Sequence, residues 1–142
     1  MTRVQRTLRI VLRIGFAALL LTTGIAKLID MSGFAAVVNS YALLPTALTV
    51  VAAWVLALTE VGLGLWLLSN WCGVASATVL VALHVMYLFW LVQALLRGLK
   101  LPNCGCFGVY WPRALHWTTL IEDLVLLTLA VSLYWLQRRR TA

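Results

Sequence analysis

Four long apolar stretches constrain this chain more than any other feature of its sequence. A helix that crosses the hydrocarbon core of a bilayer needs about 20 consecutive apolar residues. Four stretches reach roughly that length, and they predict spans with the following approximate bounds: residues 8–29, 47–68, 73–96 and 118–136. Apolar residues make up 63% of the chain and charged residues 11%, whereas soluble domains are about 45–50% apolar and about 25% charged. The sequence therefore predicts an all-α integral membrane protein, a four-helix bundle that forms one domain over residues 1–142.

The net charge of +7 is concentrated at the ends of the predicted spans. Basic residues in these positions set the orientation of a membrane protein, so we predict a lipid membrane as the partner and no nucleic acid. The side that carries the two termini holds seven arginines, and the other side holds four basic residues: Lys27, Arg97, Lys100 and Arg113. The excess predicts that both termini are cytoplasmic.

Two of the three gaps between the spans lie on the outer side in this orientation. The first gap, residues 30–45, is half apolar, and it predicts a segment at the interface or a short re-entrant helix. The loop at residues 97–117 carries two of the three cysteines. In a bacterium the outer side is the periplasm, where thiols can be oxidised.

The cysteine pair has the spacing of an exchangeable disulfide. Gly105 separates Cys104 from Cys106, and its backbone freedom allows a bond to close across one residue. So short a ring stabilises the chain little by loop entropy, and strained disulfides tend to exchange readily. The spacing therefore favours a redox pair over a structural staple.

The charges near the pair and the third cysteine add two expectations. Lys100 and Arg113 flank the pair, and neighbouring cations favour the reactive thiolate; the alternative is that both are ordinary interfacial charges. Cys72 begins the third span, roughly 36 Å of helix away, whereas a disulfide needs Cα atoms within about 7 Å. We therefore expect Cys72 to be a small apolar filler at the inner interface.

Two alternatives remain for the same loop. Cys-x-Cys offers two soft ligands for zinc or copper, with His116 as a candidate third ligand, whereas His84 lies mid-span and too deep. A fourth ligand is missing, so no metal site is assigned. The other alternative is a scaffold without turnover, in which the two cysteines only stiffen a docking loop.

Ionisable groups within the spans are functional hypotheses by default. Glu60 and His84 lie at similar depth on adjacent antiparallel spans, which predicts a hydrogen bond that either fixes packing or carries a proton. Lys27 and Asp123 lie just below the outer ends of their spans, which predicts an ion pair beneath the cysteine loop. The alternative for Lys27 is that its side chain reaches up to the interface.

Four aromatic residues cluster near the predicted outer face. They indicate either an aromatic belt at the membrane interface or the wall of a quinone pocket: Trp90, Tyr110, Trp111 and Trp117.

Several segments match the pattern of one known family. "CGCFG", which contains Phe107 and ends at Gly108, lies between the third and fourth spans of a small four-span chain. "GIAKLIDMSGFAAVVNSYALLP" places Lys27 in a Gly-x-x-Lys-Leu segment and ends in Tyr-x-x-Leu-Pro. "LTEVGLGLWLL" carries Glu60, and "EDLVLL" carries Asp123. Over most of its length the chain thus resembles the MauE family of methylamine utilisation proteins, within the wider DoxX-like group.

The resemblance implies a membrane thiol–disulfide component in the bacterial inner membrane. It implies that Cys104 and Cys106 exchange with a periplasmic thioredoxin-like protein during maturation of disulfide-rich exported enzymes, the type case being methylamine dehydrogenase. The residues that we expect to support this pair are Lys27, Glu60, His84, Asp123, Phe107 and Gly108. A quinone near the outer interface is our hypothesis for the electron acceptor, and whether the chain is itself an oxidoreductase stays open.

Overall fold

The computed structural model describes residues 2–141, and over this range the chain forms five α-helices and no strand. They are α1 (Arg3–Ile29), α2 (Met31–Ser40), α3 (Thr46–Ser69), α4 (Gly73–Leu96) and α5 (Trp117–Thr141). Four of these helices are long and apolar enough to cross a membrane: α1, α3, α4 and the Trp117–Arg140 part of α5. The prediction of an all-α membrane bundle is therefore confirmed.

The first helix begins well before its apolar stretch. The Thr2 hydroxyl accepts a hydrogen bond from the backbone N–H of Gln5 at 3.3 Å, and the Gln5 side chain accepts one from the N–H of Thr2 at 3.1 Å. This reciprocal capping box satisfies amide groups that a helix start leaves unpaired. Hydrophobicity alone places the helix start near residue 8, whereas the cap extends the helix to Arg3.

The short helix α2 occupies the first gap, between α1 and α3. Asp30 ends α1 and caps α2, where its carboxylate accepts a hydrogen bond from the N–H of Gly33 at 2.9 Å. Phe34, Ala35 and Val38 are buried and pack in one apolar cluster with Ala53 of α3. The gap therefore contains a packed helix.

Helix α1 packs most extensively against α3, and α4 against α5. The α1–α3 approach is close because two glycines lie in it. A Cβ at Gly24 would lie 3.1 Å from Cβ of Glu60, and one at Gly64 would lie 3.2 Å from the carbonyl oxygen of Ala17. Each long helix also contributes a leucine to one central core: Leu20, Leu67, Leu80 and Leu133.

The turn between α3 and α4 lies at the same end of the bundle as the helix termini at Arg3 and Thr141, because successive spans alternate in direction. Asn70 and Cys72 both adopt left-handed backbone angles there, with φ of 55° and 46°. Cys72 is exposed rather than packed as a filler, because the turn holds it outside the helix interfaces. Helix α2 and the cysteine loop lie at the opposite end.

Candidate functional site

The cysteine loop is shaped by the side chain of Asn103. Its carbonyl oxygen accepts a hydrogen bond from the N–H of Gly105 at 2.9 Å, and its amide group donates to the carbonyl of Gly108 at 3.1 Å. Both glycines adopt left-handed backbone angles, with φ of 76° and 74°. Residues that carry a Cβ adopt such angles only at a steric cost, which glycine avoids. Asn103 and the two glycines thus fold "CGCFG" into a compact turn.

Backbone hydrogen bonds join the two arms of this loop. The N–H of Cys104 donates to the carbonyl of Arg113 at 2.7 Å, and the N–H of Leu115 donates to the carbonyl of Leu101 at 2.9 Å. Leu101 and Leu115 are buried in a cluster that includes Cys104. The residues after the cysteines therefore return alongside those before them.

Helix α2 holds the loop from one side through Tyr41. Its hydroxyl donates a hydrogen bond to the carbonyl of Cys104 at 2.6 Å, and burial raises the pKa of Tyr41, which keeps that donor protonated. Arg97, at the end of α4, donates to the carbonyl of Tyr41 at 2.9 Å. Gly105 faces the same helix so closely that a Cβ there would lie 2.8 Å from the Val37 side chain.

Helix α1 holds the loop from below. A Cβ at Gly108 would lie 3.4 Å from the backbone nitrogen of Lys27. The preceding Phe107 carries the guanidinium of Arg113 over its ring, 5.8 Å from the centroid. Arg113 also donates two hydrogen bonds to the carboxylate of Glu122, at 2.6 and 2.7 Å. The positions of Phe107 and Gly108 give both residues a clear structural role in fixing the loop.

The two thiols face each other and are chemically unequal. Both are free, and their sulfur atoms lie 2.8 Å apart. The hydrogen bond from Cys106 lowers the pKa of Cys104 to about 7, and the Cys106 N–H and the charge of Arg113 act in the same direction. The hydrogen bond to Cys104, followed by the partial burial of the thiol, raises the pKa of Cys106. One thiol is thus set to ionise near neutral pH while the other stays protonated.

Of the two cations that flank the pair in sequence, Arg113 is the one that stabilises the Cys104 thiolate. Lys100 is exposed on the outer loop. The loop return, in which Cys104 bonds to the backbone of Arg113, explains the difference.

A buried ion pair lies beneath the loop. The ammonium of Lys27 donates to the carboxylate of Glu60 at 2.5 Å, and the two side chains are each 2% exposed. Thr23 donates to the same carboxylate at 3.2 Å, and the Tyr87 hydroxyl makes a short hydrogen bond to it. Lys27 also lies 5.2 Å from the ring centroid of Phe34 on α2. The carboxylate therefore has three donors from two helices.

The predicted hydrogen bond between Glu60 and His84 is wrong. Nδ1 of His84 donates instead to the carbonyl of Leu80, one turn earlier in its own helix, at 2.9 Å. The edge of the His84 ring packs against Phe16 at 5.5 Å between centroids. Glu60 is occupied by Lys27 because α1, rather than α4, makes the close approach to α3.

The predicted ion pair between Lys27 and Asp123 is also wrong, because Glu60 takes the ammonium. One oxygen of Asp123, Oδ2, is buried and has no hydrogen-bond partner within residues 2–141. Asp123 lines a cavity of about 70 Å³ together with His84 and both cysteines. The structure thus brings Asp123 to the thiols without bringing it to Lys27.

A second cavity, of about 50 Å³, also borders both thiols. Its wall is almost entirely apolar and includes parts of Lys27, Tyr41, Tyr87 and Trp90. The two cavities are large enough for a few water molecules each. Four of the predicted supporting residues, Lys27, His84, Phe107 and Asp123, therefore line the cavities beside the thiols, whereas His116 is exposed at the end of the loop.

The other aromatic residues of this end are separated from that wall. Trp90 packs edge-on against Tyr41 at 5.7 Å, whereas Tyr110, Trp111 and Trp117 are all more than 60% exposed. Their exposure suits an interfacial belt. The quinone stays a hypothesis, and Trp90 is the member of the set that borders the thiols. No group of three or more His, Cys, Asp or Glu side chains within residues 2–141 is arranged to hold a metal ion.

Sequence reasoning missed three polar residues of the site. Tyr41 and Tyr87 read as ordinary aromatic residues, although a tyrosine hydroxyl buried in a membrane bundle needs a partner. Asn103 directly precedes the cysteines, and an asparagine before a glycine-containing turn is a known turn signal. Only the last of these could have been recognised locally.

The fold and the site define a small multi-pass membrane protein whose dithiol loop is seated on a buried ion pair. The family model described as methylamine utilisation protein MauE matches residues 5–136. The chain belongs to this family, and its four spans make it a multi-pass bacterial membrane protein. It is 30% identical over 122 residues to methylamine utilization protein MauE of Paracoccus denitrificans, in an alignment that covers 86% of the chain and 66% of that relative. The chain thus spans just under two thirds of the relative's length, and no solved structure matches it significantly.

Proposed function

We propose that the protein is a membrane thiol–disulfide component of methylamine utilisation. In this proposal Cys104 and Cys106 exchange a disulfide with a periplasmic thioredoxin-like protein, which serves an exported enzyme rich in disulfides. The observation that carries the chemistry is the pair of free thiols 2.8 Å apart, one with a pKa of about 7. The process is supported by family membership and by the name of the Paracoccus relative.

The inequality of the two thiols supports distinct roles for them. Cys106 is partly exposed, whereas Cys104 is buried. In thiol–disulfide exchange the attacked sulfur must be accessible, and a thiol of low pKa is the better leaving group. We therefore assign Cys106 as the sulfur that joins the partner and Cys104 as the leaving thiolate.

The exchange balances in two steps when the pair begins as a disulfide. A partner thiolate attacks Sγ of Cys106, the bond between the two cysteines breaks, and Cys104 leaves as a thiolate. The second partner thiolate then attacks the partner's own sulfur in the mixed disulfide, and the Cys106 sulfur leaves and takes up a proton. The partner is oxidised to a disulfide and the pair is reduced, and the same steps run in reverse when the partner is the oxidant.

The test is the redox state of the pair in intact cells, trapped by acid quenching and labelled with a heavy maleimide. The labelling is compared with and without the thioredoxin-like partner. We expect a partner-dependent mixture of oxidised and reduced pair. A fully oxidised pair that ignores the partner and resists mild reductant would support a scaffold instead.

Cysteine variants test the assignment of roles. When the partner is supplied in its oxidised form, Cys104→Ser should accumulate a mixed disulfide between Cys106 and the partner, because Cys104 is no longer present to displace the partner. Cys106→Ser should not accumulate one. Cys72→Ser is the matched control and should behave as the unmodified chain, since Cys72 lies at the other end of α4. Normal maturation of the client in both of the first two variants would contradict the proposal.

A further inference from the structure

Four arginines from the two ends of the chain line one open cavity at the end of the bundle opposite the cysteine loop, and all of them except Arg9 are exposed to solvent. Arg6 and Arg9 belong to α1, and Arg139 and Arg140 belong to α5. The two pairs are more than 120 residues apart in sequence, so only the packing of α1 beside α5 brings them together. Positive residues at span ends need no such convergence to set orientation.

No side-chain carboxylate within residues 2–141 neutralises this cavity. The chain has four acidic residues, and all four are placed elsewhere: Asp30 caps α2, Glu60 binds Lys27, Glu122 binds Arg113, and Asp123 lies beneath the cysteine loop. Guanidinium groups gathered in one cavity repel one another, and an anion bound between them adds attractive interactions that offset this repulsion.

Buried donors around the cavity also lack partners. Nη1 of Arg9 donates to the side chain of Gln137 at 3.2 Å, which ties α1 to α5. Nε of Arg9 is buried without a hydrogen-bond partner within residues 2–141, and so are Nε and Nη1 of Arg13, one turn further along the same face. Buried polar atoms are normally hydrogen-bonded, so the Nε donor of Arg9, which lines the cavity, indicates a group that the described residues do not supply.

We propose that the arginine cavity, lined by Arg6, Arg9, Arg139 and Arg140, binds the phosphate of an anionic phospholipid headgroup. Arginine matches phosphate with paired N–H donors. The cavity lies where the spans α1 and α5 leave the membrane, which is the level of lipid headgroups. Such a lipid bridges the first and last spans at the end of the bundle remote from the thiols.

The test uses the purified full-length chain in detergent, delipidated and titrated with phosphatidylglycerol, phosphatidylcholine or inorganic phosphate while native mass spectrometry counts bound lipid. We expect phosphatidylglycerol to bind more tightly than phosphatidylcholine. Inorganic phosphate at the same concentration should not displace bound phosphatidylglycerol. The double variant Arg6→Gln/Arg140→Gln should weaken binding of phosphatidylglycerol at least about tenfold. The matched control Arg3→Gln/Arg138→Gln removes the same charge from the same end and should change it by less than about threefold.

Three results would overturn the proposal. Equal loss in both double variants would show a general charge effect, and equal binding of the two lipids would show no headgroup selectivity. Displacement of lipid by inorganic phosphate would show a site for small anions. The single variant Arg140→Gln lies at the helix end and should weaken binding about threefold, and it keeps the test decisive if the double variant does not fold.

Discussion

The ionisation of Cys104 can be followed directly through the ultraviolet absorbance of its thiolate. Hydrogen bonding by Cys106 and the charge of Arg113 bring the pKa from 9.0 to about 7. At pH 7 a thiol with that pKa is about half ionised, whereas a thiol with a pKa of 9 is about 1% ionised. We therefore expect roughly 50 times more thiolate at pH 7 than an unperturbed cysteine gives.

The assay is a titration at 240 nm of the reduced Cys72→Ser variant, from pH 5 to 8.5. A single thiolate should appear with a midpoint near 7, because hydrogen bonding and burial raise the pKa of Cys106 out of this range. Cys106→Ala removes the main donor and should move the midpoint towards 9. Arg113→Gln should move it less, since the charge of Arg113 is a smaller cause of the shift than the hydrogen bond.

The rate of exchange provides an independent check on the same reasoning. Because the thiolate is the reacting form, attack by Cys104 on a mixed disulfide at Cys106 should slow about fivefold from pH 7 to pH 6 and about tenfold for the next pH unit below. The reasoning would be refuted by a midpoint that is unchanged in Cys106→Ala, or by the appearance of no thiolate below pH 8.5.

Three substitutions test the surroundings of the pair. Lys27→Met leaves the buried carboxylate of Glu60 without its cation and should cost about 3–5 kcal/mol, measured by thermal unfolding in detergent; an unchanged melting temperature would contradict the buried pair. Gly105→Ala puts a side chain at a φ of 76° and should cost about 1–3 kcal/mol and slow disulfide exchange, whereas an exchange rate equal to that of the parent would argue against the turn. Tyr41→Phe leaves the carbonyl of Cys104 without its buried donor and should cost about 1–3 kcal/mol, with a visible loss of protection at the loop in hydrogen exchange.

The spans could be predicted because length and hydrophobicity suffice to define them. Helix starts depend on finer features, and the Thr2–Gln5 cap moves the start of α1 to Arg3. The sequence gives less information on which glycines lie at a close contact between helices. A Cβ at Gly15 or Gly62 would have no neighbour within 4 Å, whereas Gly24 and Gly64 form the close contact between α1 and α3. All four lie in spans, and only the rotation of each helix about its axis distinguishes them.

That same rotation explains the two incorrect pairings. Residue counting gives the depth of a charged group along its helix, but it does not give the side of the helix from which the group projects. Lys27 lies one turn beyond Gly24 on α1, and Gly24 contacts α3 beside Glu60. The close α1–α3 contact therefore places Lys27 against Glu60, and His84 and Asp123 are left to line a separate cavity.

The asymmetry of the cysteine pair is likewise a product of distant contacts. Cys104 and Cys106 are close because only one residue separates them. That spacing does not indicate which of the two thiols has the lower pKa. Distant contacts contribute to the distinction because the charge of the returning Arg113 lowers the pKa of Cys104, in addition to the larger effect of the hydrogen bond from Cys106. Since Gly108 rests on the backbone of Lys27, the turn is seated on the same helix that supplies the buried ion pair. In the exchange that we propose, a partner that attacks Cys106 would therefore meet a sulfur on a fixed support, and the leaving thiolate of Cys104 would already be stabilised.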